Sequence, residues 1–247
     1  MTRSEIIRFL ILRTVGNFLL LFAIFGVFAT FGPILYYEAS YQIIQFKGIK
    51  YKAPEINSSI TGSEKTSKFG EIIARQNPGR TVVEGGGLAG VLSNVKEQIL
   101  IPKDTEFSIL IPKIGASSKI YANIDSSNQN NFLPILQHGV AHAKGTVFPG
   151  MNGNIYLFAH STDNFWNVGR YNAIFYLLKN LSSGDEIVIF YQNVRHDYKV
   201  VESRVVEASD VSYVTKSQEV GQETLILQTC WPPGTTWKRL LVIAEPK

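Results

Sequence analysis

The sequence predicts a mainly β domain, either a sandwich or a closed barrel, that follows one transmembrane helix. Two observations lead to this fold class. One is an uncharged apolar block near the N-terminus, and the other is a series of short apolar runs separated by turn residues from about residue 99 onward. Many short strands at regular spacing are typical of sandwiches and barrels. Residues 99–247 are numerous enough to enclose one hydrophobic core.

The composition restricts the classes of function. The chain has 247 residues, with 24 Lys+Arg against 20 Asp+Glu and a formal net charge of +4. Hydrophobic residues make up 45%, which excludes a disordered chain. A single cysteine excludes a disulfide framework and any multi-cysteine metal or iron–sulfur site. The mild charge, without a dense Lys/Arg stripe, gives no support for a nucleic-acid partner. We predict no cofactor.

The apolar block extends from Thr14 to Tyr37 and contains no charged residue. As a helix it would be about 36 Å long, enough to cross a hydrocarbon core of roughly 30 Å. The positive-inside rule predicts a cytoplasmic tail of residues 1–13 and an extracellular remainder, because three arginines precede the block: Arg3, Arg8 and Arg13. A cleaved signal peptide would have a shorter apolar core, about 7–15 residues. A buried core helix would show a polar face, which this block lacks.

Residues 38–98 have the composition of an extracellular linker or spacer, with clusters of Gly, Ser and Asn between sparse apolar residues. The stretch Tyr41–Phe46 is expected to continue the anchor helix for a few turns. The stretch Val91–Leu100 is a candidate for a short docking helix. The boundary of the catalytic domain is therefore placed at residue 99.

Seven runs between residues 99 and 247 have the apolar, turn-bounded character of strands. They are Phe107–Ile111, Lys119–Ile124, Asn154–Ala159, Glu186–Tyr191, Asp197–Val206, Thr224–Thr229 and Leu240–Ala244. Two segments have the pattern of short helices, Asn130–Gln137 and Ala173–Leu181, and the second is stopped by a Ser-Ser-Gly turn.

Three side chains that could carry chemistry lie at the ends of predicted strands. Cys230 follows one apolar strand, His160 ends another, and Arg239 begins the last. Nucleophilic catalysis by cysteine requires a thiolate, which a nearby imidazole or cation favours. Arg239, nine residues after Cys230, can return antiparallel beside it and offer donors to a developing oxyanion. His160 can take the thiol proton and later protonate a leaving amine. Together the three predict a thiol acyl-transfer enzyme.

Each of these residues also has a structural explanation. A lone cysteine is often a small buried hydrophobe, Arg239 could be a strand-end surface charge, and His160 could be an ordinary loop histidine. Trp231 and Trp237 flank the Cys-to-Arg loop and could either pack or form the wall of a peptide groove.

The remaining histidines carry weaker signals. The i, i+4 spacing of His138 and His142 would suit a metal pair on a helix. Gly139 and Val140 argue against a helix there, so a loop or supporting role is favoured. His196 is expected in an exposed hairpin turn.

Around these residues the sequence resembles the sortases, which are membrane-anchored cysteine transpeptidases of the bacterial surface. The segment Ile226-Leu227-Gln228-Thr229-Cys230 is similar to the signature Thr-Leu-x-Thr-Cys, and Arg239-Leu240-Leu241-Val242 is similar to the family's ending. Upstream blocks follow the family's order: Gly139–Thr146, Phe148-Pro149-Gly150, Gly153-Asn154 and Ala159-His160. The resemblance covers roughly residues 99–247. Ile226 and Ala159 depart from the usual Thr and Gly.

The resemblance implies a closed eight-stranded β-barrel with His160, Cys230 and Arg239 at its catalytic positions. It implies that Cys230 attacks the Thr carbonyl of a Leu-Pro-x-Thr-Gly-like signal on a secreted protein. The resulting thioacyl enzyme passes the chain to an amine, typically on a cell-wall precursor. The predicted substrate-binding residues are Thr229, Trp231, Trp237 and His142. No Asp-Pro lid dipeptide occurs in the chain, and the Cys-to-Arg spacing favours class D or E over pilus assembly.

Two other interpretations remain open. Another surface cysteine peptidase or an L,D-transpeptidase would use the same thiol. However, papain-like enzymes place Cys before His, and the Ser-x-Gly-Cys signature of L,D-transpeptidases is absent. A catalytically silent, membrane-anchored β-domain would not depend on Cys230.

Overall fold

The computed structural model describes residues 3–55, 81–83, 97–161, 174–216 and 221–247. The chain divides into two compact units, Met1–Glu38 and Ala39–Lys247. Helix α1 (Arg3–Lys47) accounts for the described part of the first unit, and its last turns belong to the second.

Helix α1 is long and apolar enough to cross a membrane over Arg3–Phe28, a stretch of 26 residues with a mean hydropathy of 2.1. Large apolar side chains are exposed along this stretch, as expected of a helix whose surroundings are lipid. The span overlaps the predicted segment Thr14–Tyr37. The prediction that Tyr41–Phe46 continues the helix is confirmed.

The end of α1 is set by a glycine cap. Gly48 has φ +66°, and its N–H donates to the Gln45 carbonyl at 3.0 Å, while the Ile49 N–H donates to the Ile44 carbonyl at 3.1 Å. This pair of bonds is the Schellman motif, in which a left-handed glycine satisfies the last carbonyls of a helix. Ile44 and Ile49 are both buried, so the cap also turns two apolar side chains toward the same core.

Eight strands form a closed barrel, which confirms the predicted mainly β fold. In chain order they are β4 (Phe107–Ile111), β5 (Ala116–Ile124), β6 (Val140–Ala143), β7 (Gly153–Phe158), β8 (Glu186–Tyr191), β9 (Val194–Glu207), β10 (Glu223–Trp231) and β11 (Lys238–Pro246). Around the barrel the order is β10-β11-β9-β8-β4-β5-β6-β7. The pairs β7–β10 and β5–β6 are parallel, and the other neighbouring pairs are antiparallel.

A second, three-stranded parallel sheet lies in the stretch that composition assigns to a spacer. It consists of β1 (Lys50–Lys52), β2 (Thr81–Val83) and β3 (Glu97–Leu100), in the order β1-β3-β2. The proposed docking helix at Val91–Leu100 is wrong for its last four residues, which form β3, and the rest lies outside the described residues.

The juxtamembrane segment, defined as residues 39–55, packs on the outside of the barrel. One cluster of buried side chains joins this segment and β3 to strands β4 and β8: Ile44, Ile49, Tyr51, Leu100, Leu110, Val188 and Phe190. Arg195 Nη1 also donates to the Pro54 carbonyl at 2.6 Å while the same guanidinium pairs with Asp197. Strand β4 is buried along its whole length because the barrel covers one face and this cluster the other.

Two short helices and two 3₁₀ turns complete the described part of the fold, and the first of these turns is Pro112–Ile114. Helix α2 (Gln129–Leu136) confirms the first predicted helix, and the Asn128 side chain caps it by accepting from the Asn130 N–H at 3.0 Å. The second predicted helix, Ala173–Leu181, is a 3₁₀ turn at Tyr176–Asn180, and its first residue lies outside the described residues. Helix α3 (Ser212–Thr215) has no counterpart among the predictions.

The expectation for His196 is wrong. The β8–β9 hairpin turns at Gln192 and Asn193, which have φ +50° and +64°, so His196 lies inside β9 opposite Ile189. Two consecutive residues with positive φ match the twist of a tight hairpin.

Candidate active site

Strands β7 and β10 bring the histidine and the cysteine to the same rim of the barrel. The two strands are parallel, with Phe158 opposite Gln228, and the pairing continues as the Ala159 N–H donates to the Gln228 carbonyl at 3.2 Å. Parallel strands end at the same edge of a sheet. His160, directly after Ala159, and Cys230, two residues after Gln228, therefore lie at the same rim of the barrel.

The arginine reaches this rim through the antiparallel pair β10–β11. Cys230 lies directly opposite Arg239 in the register, as the nine-residue spacing predicts. The connecting loop is closed by its own bonds, since the Thr235 N–H and hydroxyl both donate to the Pro232 carbonyl, at 3.0 and 2.8 Å. The strands stay paired through Cys230 to Trp231, which lies opposite Lys238.

One groove of about 540 Å³ is lined by all three of these residues. Its floor is the outer face of β7 and β10, and its sides include α2 and residues between Ala208 and Val214, a segment that overlaps α3. The lining is mainly apolar around the side chains of Phe132, Leu136, Tyr156, Phe158 and Val214. A concave apolar site with a few polar groups at one end is the usual form of a ligand-binding groove.

The guanidinium of Arg239 is held from one side. Its Nη1 donates to the carbonyls of Thr236 and Lys238, at 2.9 and 3.0 Å. Its Nε and Nη2 make no hydrogen bond to any other described residue. Arg239 can therefore hold the loop and still offer donors to a ligand in the groove.

Thr229 and His142 occupy buried positions rather than the groove lining. Thr229 is 2% exposed, and its hydroxyl donates to the Ala159 carbonyl at 3.0 Å. This bond connects the residue before Cys230 to the residue before His160. The side chain of Thr229 is thus suited to position the two strand ends rather than to touch a ligand directly.

His142 lies inside the barrel wall. Its Nδ1 accepts from the Asn123 N–H at 3.3 Å, and its Nε2 lies 3.0 Å from both the Val147 carbonyl and the Thr146 hydroxyl. The ring also stacks on Phe148, with centroids 4.5 Å apart. These contacts describe a neutral imidazole with its proton on Nε2, which supports the chain around β6.

The two tryptophans lie outside the groove lining. Trp237 is 73% exposed and follows Thr236, which does line the groove. Trp231 ends β10 and is half-buried. A substrate role for either residue stays a prediction.

Most of the groove-lining residues were missed by the sequence analysis, among them Gln228 and Tyr156. Gln228 lies two residues before Cys230, so the period of a strand places both side chains on one face. That signal was present in the sequence. Tyr156 could be identified only from the pairing of β7 with β10.

The buried state of His142 predicts that the protein loses stability in acid. Burial lowers the pKa of His142 below its ordinary value of about 6.5. Below about pH 6.5 the imidazole of His142 is therefore protonated more readily in the unfolded chain than in the folded chain. The free energy of unfolding consequently falls as the pH drops below about 6.5. Urea unfolding of wild type and His142→Gln at pH 7 and pH 5 checks this expectation, since the variant should lose less stability between the two.

Two other histidines provide the controls for this measurement. Burial also lowers the pKa of His196, so His196→Gln is measured separately. His138 is exposed, and His138→Gln should behave as wild type. An equal pH dependence in wild type and His142→Gln would contradict the assignment to His142.

Comparison with known proteins agrees with this architecture. The sortase domain family matches residues 109–247. Sortase D of Bacillus subtilis (strain 168) is 29% identical over 138 residues, which span 55% of this chain and 60% of that protein. The chain thus spans about 60% of the length of this curated relative.

Several solved structures are also similar to this chain. A Sortase D5 transpeptidase from Clostridium perfringens is 26% identical, with a TM-score of 0.46 over 57% of this chain and 78% of the other. The Clostridium perfringens sortase C with the C-terminal cell wall sorting motif is 27% identical, with a TM-score of 0.47 over 57% and 69%. Because the family match covers more than half of the residues, the chain belongs to the sortase family.

Proposed function

We propose that the protein is a membrane-anchored cysteine transpeptidase with its N-terminus in the cytoplasm and its barrel outside the cell. The observation that carries this proposal is the meeting of His160, Cys230 and Arg239 in one groove at one rim of the barrel. Family membership supports the reaction class. The apolar helix within α1 supports the anchor, and the arginines before residue 14 support the orientation.

The proposed substrate is a secreted protein with a Leu-Pro-x-Thr-Gly-like signal. The Cys230 thiolate attacks the carbonyl carbon of the Thr residue, and Arg239 donates hydrogen bonds to the oxyanion that forms. The Thr–Gly bond then breaks, with His160 giving its proton to the leaving amine. The product of this half-reaction is a thioester between the substrate's Thr and Cys230, together with the free tail.

The second half-reaction resolves the thioester. An amine, proposed to belong to a cell-wall precursor, loses a proton to His160 and attacks the same carbonyl carbon. A new amide bond forms, and the Cys230 thiolate leaves. Water in place of the amine would give hydrolysis, so transfer requires that the amine reach the thioester first.

The experiment that tests this function is intact-mass spectrometry of the full chain in detergent with Leu-Pro-x-Thr-Gly-type peptides. Wild type should gain the mass of the Leu-Pro-x-Thr acyl group, Cys230→Ala should gain nothing, and an added amine should remove the adduct. A labelled amine should then appear on the released peptide.

If no peptide adduct forms, the reactivity of the Cys230 thiol would distinguish the two alternative functions. A thiol that labels with a small alkylating reagent but never with any signal peptide would favour another cysteine peptidase. No adduct, combined with a thiol no more reactive than a model thiol, would favour the catalytically silent β-domain.

A further inference from the structure

The floor of the groove contains one hydrogen-bonded polar pair. The Tyr156 hydroxyl lies 3.3 Å from Gln228 Oε1, and both side chains line the groove. Gln228 shares the outer face of β10 with Cys230, two residues further along. The pair therefore lies about 7 Å from the nucleophile along the strand.

Apolar side chains surround this pair. The neighbouring residues on the outer face of the sheet are buried hydrophobics, among them Ile226, Phe158 and Leu241. Phe132 and Leu136 of α2 cover the same region. Gln228 itself is half-buried, so water can reach its amide in the free protein. A peptide bound in the groove would displace that water, and an amide donor left without an acceptor would then be costly.

Only half of the Gln228 amide is satisfied within the described protein. The Tyr156 hydroxyl faces Gln228 Oε1, to which it donates. This bond fixes which end of the amide faces Tyr156, and it leaves the Nε2 group as the free donor. No described residue accepts from that group. A ligand in the groove can satisfy it only with an acceptor.

We infer that Gln228, held by Tyr156, donates a hydrogen bond to a backbone carbonyl of the peptide substrate about two residues from the scissile bond. The inference rests on the proposed function. An extended peptide advances about 3.3 Å per residue, as a strand does, so a carbonyl two residues from the attacked one lies beside Gln228. The apolar part of the groove lies on the Gln228 side of Cys230 and accommodates the segment before the scissile bond. In a Leu-Pro-x-Thr-Gly signal this is the carbonyl of the Pro residue.

This contact would make Gln228 a specificity residue and Tyr156 a positioning residue. The amide would select the register in which the Thr carbonyl lies at the Cys230 sulfur. A substrate shifted by one residue would leave the amide without an acceptor. Such a mismatch loses affinity because a buried donor stays unpaired.

The test weakens the acceptor one carbonyl at a time. Peptides with a single thioamide, a weaker acceptor, at the Leu, Pro or x residue are compared with the ordinary peptide by acylation kcat/KM of the full chain in detergent. The Pro thioamide should lower kcat/KM of wild type about tenfold, and the other two should have little effect.

Enzyme variants tested with the same peptides complete a double-mutant cycle, in which the donor and the acceptor are each removed. Gln228→Leu, which keeps the size of the side chain and removes the amide, should be about tenfold slower with the ordinary peptide and should lose the selective effect of the Pro thioamide. Tyr156→Phe should show a smaller loss, because the amide remains but is no longer oriented. Gln222→Leu makes the same chemical change just before β10, outside the groove, and should behave as wild type.

Two results would overturn the inference. If Gln228→Leu acylates normally, or retains the full Pro thioamide effect, Gln228 does not make this contact, although acylation itself upholds the proposed function. If wild type forms no acyl adduct with any peptide, the proposed function fails and the inference fails with it. A variant that merely misfolds would slow all peptides by one factor and keep their ratios unchanged, which also counts against the contact.

Discussion

Arg239→Lys should slow acylation of Cys230 nearly as much as Arg239→Ala, by roughly 10²–10³-fold, the usual effect of removing one oxyanion donor. The reason lies in the two tasks of the guanidinium. Nη1 already donates to the carbonyls of Thr236 and Lys238. Hydrogen bonds to the oxyanion must therefore come from the other guanidinium nitrogens, Nε and Nη2. A lysine ammonium is a single point of charge. It lacks the planar arrangement of N–H donors with which a guanidinium can bond the loop carbonyls and the oxyanion at the same time. Single-turnover acylation by rapid quench measures the loss.

The control for this prediction removes a neighbouring positive charge and leaves the guanidinium of Arg239 intact. Lys238 is the neighbouring residue, and its ammonium pairs with Glu207 on the surface, an exposed contact of little energetic weight. Lys238→Gln should acylate at the wild-type rate, which would exclude net charge as the cause. Near-wild-type acylation in Arg239→Lys would exclude Arg239 as the proposed oxyanion donor.

A chain that begins at residue 99 should be much less stable than a chain that begins at residue 39. The shorter chain lacks Ile44, Ile49 and Tyr51, whose side chains are 4%, 6% and 7% exposed. Complete burial of a large apolar side chain contributes about 1.5–3 kcal/mol, so the expected loss is roughly 5 kcal/mol or more. That loss is comparable to the whole free energy of unfolding of many domains. The truncation also uncovers Leu110, Val188 and Phe190 on the barrel.

Urea unfolding of the two chains measures this loss, and a matched pair of point variants identifies its source. Tyr51→Ala removes the buried ring and should cost about 3–5 kcal/mol. Tyr51→Phe removes only a buried hydroxyl that has no hydrogen-bond partner among the described residues, so it should be neutral or slightly stabilising. Equal stability of the two chain lengths would show that the juxtamembrane segment does not support the barrel.

Most barrel strands could be predicted from sequence because each is a continuous apolar run with turn residues at both ends. Strands β4 and β8 were predicted with their observed bounds. Strand β6 escaped prediction since it has four residues and contains His142, whose burial depends on partners far along the chain. Strands β1 to β3 are equally short, and their polar neighbours dominate the local composition.

In the candidate site, too, some residues could be identified from their local sequence and others only from pairing between distant strands. Cys230, His160 and Arg239 could be selected because strand ends next to loops are visible in the sequence. Tyr156 could not, since its place beside Gln228 depends on a parallel pairing between segments about 70 residues apart. The burial of Thr229 likewise follows from its bond to Ala159 across the same pairing, which no local pattern records.

The strand order of the barrel also has a consequence for the timing of assembly. The strands β10 and β11, which contain Cys230 and Arg239, come last of the eight in the chain, yet β10 pairs with β7 and β11 with β9. A ribosome completes six barrel strands before it adds the thiol, and the groove floor is incomplete until β10 lies beside β7. Pairing between such distant segments is a late and slow event in folding. A nascent chain therefore has no assembled site, and reactivity toward substrate arises only in the final closure of the barrel.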